Sequence, residues 1–422
     1  MVSESKQPCV LGIDVGTSGV RIAALDAEGH TCAVAASGYE GAERRDDPFA
    51  WWRGVEACFA DLSREISLNG IAAVAVDGTS GTVLALDEND APVGRALMYN
   101  AVCPDREVVA RLEVIAPEDS PALGEHSALA RAAFLARQPG VARVVHQADW
   151  ITMQLGGGAV SDENNALKTG YDLSAGRWPD WIAELGFDPG ILPDVVPAGR
   201  LLGLVGGRAC ALGLPASTVI VSGTTDGCAS FLATGACEIG DGVTALGSTL
   251  VLKLLSDREI NAPAYGIYSH RIAGMWLAGG ASNTGGAVIR AHFPDDELAD
   301  LTGRLEPDRP TGLDYYPLLR AGERFPINDP HLAPRLEPRP SDDAFFFQGI
   351  LEGIAAIEKQ GYARLSELGA PPLKSIRSVG GGAANPAWTR IRRGLLNVPF
   401  LDACSVEAAA GTARLALRAL TQ

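Results

Sequence analysis

The chain has 422 residues, 47% hydrophobic and 20% charged, a globular composition long enough for roughly two or three domains that excludes disorder over most of its length. Lys and Arg number 35 against 51 Asp and Glu, a net charge of −16, which disfavours nucleic acid and membrane partners. A nucleotide can still bind such a chain, given local help from backbone N–H groups or Mg²⁺. The 8 cysteines are scattered without a C-x-x-C pair, as expected of thiols in a reducing compartment. No basic-then-apolar leader and no run of about 18 apolar residues occurs, which predicts a soluble cytoplasmic protein.

The first eight residues are polar and predicted loose. Val10–Ile13, Val20–Leu25 and Thr31–Ala36 read as three consecutive antiparallel strands. Their turns are Asp14-Val-Gly-Thr-Ser-Gly19 and Asp26-Ala-Glu-Gly29. Residues 48–66 carry apolar positions at helical spacing, with Pro48 at the start. Strands Ile71–Val76 and Thr82–Leu86 flank the turn Asp77-Gly-Thr-Ser-Gly81. From 103 to 200 the pattern is mixed, with helices predicted over Ser127–Arg137 and Ala148–Leu155. Val219–Ser222 reads as a buried strand running into Gly223-Thr-Thr-Asp-Gly227, with a helix from Cys228 to Thr234.

The plan then restarts. Val243–Leu246 and Leu250–Leu254 enclose the turn Gly247-Ser-Thr249. A hairpin is predicted from Tyr265–Arg271 and Met275–Ala278, and helices at about 342–368. The strand Ile376–Val379, the loop Gly380-Gly-Gly-Ala-Ala-Asn385 and a helix from Pro386 close the unit, with Asn385 as N-cap. A repeat of about 200 residues implies two similar α/β domains with a cleft between them.

Five segments could carry chemistry. In the first turn Gly16 lets successive N–H groups form an anion nest, and Thr17 and Ser18 add hydroxyls. Asp14 repels phosphate directly but can hold Mg²⁺. The turn Gly247-Ser248-Thr249 repeats that logic without the carboxylate. The triple-glycine loop at 380–382 lets a flat ligand approach the backbone. Its sixth position is Asn385, so it is no dinucleotide fingerprint, and Gly-Lys occurs nowhere, so there is no Walker A loop. Asp226 stands at a predicted helix start, whose dipole favours the ionised carboxylate, and could accept a hydroxyl proton. Ser80 offers a hydroxyl at a strand end, suited to a polyol. Each segment alone is equally an ordinary turn or cap. No zinc-ligand spacing and no G-x-S-x-G is present.

Their joint order resembles the FGGY carbohydrate kinase family over about residues 9–421: Asp14-x-Gly-Thr-Ser, then Thr-Asp226-Gly, then Gly-Ser-Thr249, then Val379-Gly-Gly-Gly-Ala-Ala-Asn385. Arg45-Asp-Asp-Pro48 with Trp51 and Trp52 looks like that family's acidic-Pro-Trp segment. Within the family the chain most resembles the short, xylulose kinase-like D-ribulose kinases of cyanobacteria and plants. The stretches Val76–Thr82, Gln147–Trp150, Gly247–Lys253, Gly312–Pro317 and Gly322–Pro326 carry that likeness.

The resemblance implies two ribonuclease H-like domains of the actin, Hsp70 and hexokinase superfamily. A sugar-binding domain would span 9–228, a nucleotide-binding domain 229–404, and a helix at about 405–422 would pack back on the first. Domain closure would exclude water. It implies ATP and Mg²⁺, with Asp226 as base on the terminal hydroxyl of a ketopentose, and Asp14 with Asp226 at the metal and the sugar. Thr17 and Ser18 would meet the γ-phosphate. Gly247, Ser248 and Thr249 would form the β-phosphate turn. Gly381, Gly382, Asn385 and Trp388 would line the adenosine pocket, and Ser80 would contact the sugar. Xylulokinases carry Gln-Met-His-Gly where this chain has Asp77-Gly-Thr-Ser-Gly, and Trp-Asn-Asp-x-Arg where it has Met98–Cys103, which favours D-ribulose. Xylulose and pentitols remain alternatives. So do an ATPase switch, disfavoured because no residues are left for a peptide-binding domain, and a sugar-binding module without transfer, disfavoured by the intact Asp14 and Asp226. Oligomeric state stays open.

Overall fold

The computed structural model describes residues 9–39, 45–124 and 126–421, so the expectation for the first eight residues lies outside the described residues. The chain divides into two compact units. One comprises the described residues through Ala233, Arg271–Ala273 and the chain from Glu407; the other takes Thr234–His270 and Gly274–Val406. Among the described residues, no helix is long and apolar enough to cross a membrane.

In chain order the first unit forms β1 (Val10–Val15), β2 (Gly19–Leu25), β3 (Thr31–Gly38), α1 (Pro48–Glu65), β4 (Ala73–Gly78), β5 (Val83–Leu86), α2 (Arg106–Ile115), α3 (Ala128–Ala136), β6 (Arg143–His146), α4 (Gln147–Leu155), β7 (Val160–Asp162), α5 (Glu163–Lys168), β8 (Asp194–Val196), β9 (Leu201–Leu204), α6 (Gly207–Ala211), β10 (Val219–Thr225) and α7 (Asp226–Ala233). The main sheet runs β3-β2-β1-β4-β10-β9. β1, β2 and β3 are antiparallel neighbours as expected, while β4 lies parallel to both β1 and β10. The parallel strands are apolar on both faces because helices cover both. On one side α1 lays Trp51, Val55, Cys58, Phe59 and Leu62 into the core; Asp47 caps it by accepting from the Phe49 amide.

The second unit contains β11 (Asp241–Leu246), β12 (Leu250–Ser256), β14 (Met275–Ser282), α8 (Gly286–His292), α9 (Leu298–Gly303), α10 (Asp343–Glu367), β15 (Ser375–Val379), α11 (Pro386–Leu396) and β16 (Phe400–Leu401). The short β13 (His270–Ile272) precedes β14. The order β14-β12-β11-β15-β16 repeats the first sheet's logic: antiparallel neighbours on one side of the leading strand, a parallel partner on the other. The final helix α12 (Ala408–Ala419) belongs to the first unit, where its alanines cover the face of β1, β2, β4 and β10 opposite α1.

Three boundaries differ from the sequence reading. The long strand predicted at Tyr265–Arg271 is a 3-10 turn at Pro263–Tyr265 followed later by β13. Pro263 opens that turn, where its missing N–H costs nothing. The helix predicted from Cys228 begins at Asp226, directly after β10, which carries on to Thr225 through a bulge between Val221 and Thr224. Gly223 makes the bulge possible: a Cβ there would sit 1.6 Å from the Val76 carbonyl oxygen. The loop at 380–385 contains a 3-10 turn, Gly381–Ala384.

Candidate active site

The parallel strands of the first sheet end together. Asp14 on β1 stands in register with Asp77 on β4, and Thr224 at the end of β10 pairs with Asp77. C-terminal ends of parallel strands are where open α/β sheets collect ligands. The turn after Asp14 closes with the Gly16 amide donating to the Gly19 carbonyl at 2.9 Å, leaving Thr17 and Ser18 exposed. Asp14 itself is 6% exposed, and the Arg21 guanidinium stands 3.9 Å away.

Burial pushes the Asp14 carboxyl up to about 6; the neighbouring Asp77 and the Arg21 charge pull it down, and the Asp226 carboxylate pushes it further up. Asp77 is wholly buried, and burial followed by the Asp14 charge holds it well above the ordinary carboxylate range. Thr412 on α12 bonds its second oxygen.

Asp226 is the first residue of α7, one step inside the cap position the sequence suggested, and its Oδ1 accepts from the Gly227 amide at 2.7 Å. It lines a cavity of about 600 Å³ together with Ser80, Gly81, Tyr99, His126, Arg131 and Lys168. The turn at 77–81 places Ser80 on the cavity wall. Thr79 is drawn inward, its amide and hydroxyl both donating to Gln147 Oε1 at 3.0 and 2.7 Å. Ser80 Oγ is buried and, among the described residues, has no hydrogen-bond partner. A buried hydroxyl on the wall of a cavity that also holds Asp226 and Lys168 is what a hydroxylated ligand would satisfy.

A larger cavity, about 750 Å³, lies within the second unit. Gly247 and Ser248 form one end, Gly381, Gly382 and Asn385 another, and Ile289, Phe347, Leu351 and Trp388 give it an apolar wall. Thr249 does not line it. Asn385 Oδ1 caps α11 through the Trp388 amide at 2.9 Å, while its Nδ2 donates to Thr302 Oγ1 at 3.0 Å. Trp388 is fixed by its indole N–H on the Leu351 carbonyl at 3.1 Å. The glycine at 382 lets backbone lie against that ring; a Cβ there would meet it at 2.4 Å. Arg290 also lines the cavity and donates to Ser248 Oγ at 2.8 Å.

Beneath this cavity a buried network ties its walls together. Arg392 on α11 makes a two-bond pair with Glu358 on α10, at 2.6 and 2.7 Å. Thr244 on β11 donates to the same Glu358 at 2.6 Å, and Arg392 donates to Ser378 on β15 at 2.8 Å.

The first unit thus brings together Asp14, Asp77 and Asp226 electrostatically and Asp226 with Ser80 around one cavity; the second gathers Gly247, Ser248, Gly381, Gly382, Asn385 and Trp388 around another. Sequence reasoning missed Asp77, Arg131, Lys168 and Arg290. Asp77 was legible: Val-Ala-Val-Asp-Gly repeats the strand-Asp pattern of Leu-Gly-Ile-Asp-Val. Arg131 interrupts the otherwise apolar Ala-Leu-Ala-Arg-Ala-Ala-Phe-Leu-Ala helix, a signal of burial with purpose.

The donor set fits a nucleotide with a divalent cation. A glycine-floored, partly aromatic cavity suits a planar base, and a divalent cation would favour ionisation of Asp14, which burial opposes.

Comparison with known proteins agrees. Residues 9–111 match the N-terminal domain, and 235–420 the C-terminal domain, of the FGGY family of carbohydrate kinases. A xylulose kinase of Streptomyces coelicolor is 27% identical over 425 residues, covering 94% of this chain and 85% of the relative. A gluconokinase of Bacillus subtilis is 22% identical, covering 90% of this chain and 82% of the relative. Among solved structures, a xylulose kinase from Rhodospirillum rubrum superposes with a TM-score of 0.82 at 23% identity, covering 96% of this chain and 89% of that one. A ligand-bound xylulose kinase from Lactobacillus acidophilus gives 0.82 at 19% identity, with 98% and 89% covered. These two show the two-domain kinase fold.

Proposed function

The chain belongs to the FGGY family of carbohydrate kinases, and from that premise we propose that it transfers the γ-phosphoryl group of ATP to the terminal hydroxyl of a ketopentose, D-ribulose in first place. The observation that carries the reading is the acceptor cavity of the first unit, where the Asp226 carboxylate and the Ser80 hydroxyl, without a partner among the described residues, share one wall system. D-Xylulose is the second reading, favoured by the names of the relatives; the Asp77-Gly-Thr-Ser-Gly81 turn in place of the xylulokinase motif favours D-ribulose.

Phosphoryl transfer asks the protein for position and charge rather than covalent chemistry. Ser80 orients the sugar. Asp226 accepts the hydrogen bond of the terminal hydroxyl and takes its proton as the new oxygen–phosphorus bond forms. The bond from the γ-phosphorus to the bridging oxygen breaks, and ADP leaves with the electron pair. Within the first unit the backbone amides and hydroxyls of Thr17 and Ser18 are offered to phosphate; within the second, the Gly247 and Ser248 turn offers the same kind of donor at one end of its own cavity. Gly381, Gly382 and Asn385 hold the adenosine against Trp388. Asp14 and Asp226 would hold Mg²⁺, which when bound supplies neutralisation of the phosphate charge. Asp77 stands in register beside Asp14, and burial with the Asp14 charge holds its carboxyl well above the ordinary range.

A coupled assay of ADP release tests this across D-ribulose, L-ribulose, D-xylulose, ribitol and glycerol. The highest kcat/KM is expected with D-ribulose; a preference for glycerol, or ADP release indifferent to sugar, would refute it.

A further inference from the structure

Arg131 is wholly buried on α3, yet among the described residues no carboxylate pairs with it. Its guanidinium instead donates to three backbone carbonyls. Nη1 reaches Ala101 at 2.7 Å and His126 at 2.9 Å, and Nη2 reaches Gly81 at 2.6 Å. Nε is buried and, among the described residues, has no partner. Burial pulls the group down to about 10, so it stays cationic at neutral pH.

The three carbonyls belong to three separate loops, and each loop supplies wall to the acceptor cavity. Gly81 follows Ser80, Ala101 follows Tyr99 by two residues, and His126 ends the loop that leads into α3. Burying an unpaired cation is costly, and tying loops together can be done with neutral amides. A guanidinium does what an amide cannot: it presents up to five donors in a rigid plane, so one side chain fixes three loops in one geometry.

We propose that Arg131 is the positioning residue of the acceptor cavity, holding the Ser80, Tyr99 and His126 loops at the spacing that distinguishes one pentulose from its stereoisomer. This rests on the reading of that cavity as the sugar site. Arg131 acts through the loops and not on the reacting atoms. Misplacing hydroxyl-reading groups by even a fraction of an ångström weakens bonds that depend on alignment.

The test is steady-state kinetics of wild type, Arg131→Gln and Arg131→Lys, varying D-ribulose, D-xylulose and ATP separately. Loss of charged hydrogen bonds to the loops predicts an acceptor KM raised about tenfold or more in Arg131→Gln. The kcat/KM ratio between the two pentuloses should fall toward one, with the ATP KM within about twofold of wild type. Arg131→Lys, which keeps the charge but not the planar fork, should fall between. An unchanged acceptor KM and pentulose ratio would overturn the proposal, as would equal loss of sugar and ATP affinity. If Arg131→Gln does not fold, Arg131→Lys decides by the same criteria. Failure of the kinase reading looks different: the wild type itself would phosphorylate neither pentulose.

Discussion

Asp14→Asn should make the protein more stable while abolishing its activity. In the folded chain burial raises the Asp14 carboxyl from the ordinary 3.8 to about 6. A carboxyl raised in the folded state favours folding fully below its unfolded value, and that contribution is lost as pH climbs through about 4 to 6. Above this window the ionised form penalises the folded state by about 2 units of pKa, or roughly 3 kcal/mol, and at pH 5 by about half of that. Asparagine has nearly the same shape and no charge, so it removes the penalty. For a unit of this size the gain corresponds to a Tm rise of roughly 5–10 °C near pH 7.5, shrinking toward pH 5. Thermal unfolding of both proteins at several pH values, without divalent cation, gives the difference directly. Adding Mg²⁺ should raise the wild-type Tm more than that of Asp14→Asn. A variant no more stable than wild type at pH 7.5, or a difference independent of pH, would refute the reasoning.

The second unit makes two further predictions. Arg392→Met leaves the buried Glu358 without its two-bond partner; it should cost about 3–5 kcal/mol, read as a lower Tm, with ATP affinity falling alongside because the network ties β11, β15, α10 and α11. Gly382→Ala places a methyl against the Trp388 ring and should raise the ATP KM several-fold with the sugar KM unchanged, measured by varying each substrate in turn.

The two-unit plan was legible in the sequence because it rests on local rules. Strand pairs joined by short Gly-rich turns gave β1–β3 and β11–β12, and Pro386 behind Asn385 marked α11. Asp14, the glycine loop and Asp226 were visible for the same reason: each stands at the junction of a strand with a turn or helix. The stretch from 103 to 200 resisted reading because its side chains answer to distant partners. Gln147 is anchored to Thr79, Asn164 exchanges two bonds with the Arg271 backbone, and His146 bonds Asp149, Ser161 and Thr169. Arg131 belongs to that class, since nothing near it in sequence announces the Gly81 and Ala101 carbonyls. Around Asp226 the structure leaves no loop: β10 runs to Thr225 through the bulge that Gly223 permits against β4, and α7 begins at the next residue.

The account turns on Asp226 as the group that receives the sugar's proton. Sugar-dependent ADP release by Asp226→Asn, with ATP binding followed by calorimetry on the same preparation, addresses it most directly. A fall of about 10³-fold or more in kcat with ATP bound as tightly as by wild type is the predicted result. Near-normal phosphorylation of D-ribulose by that variant would contradict it.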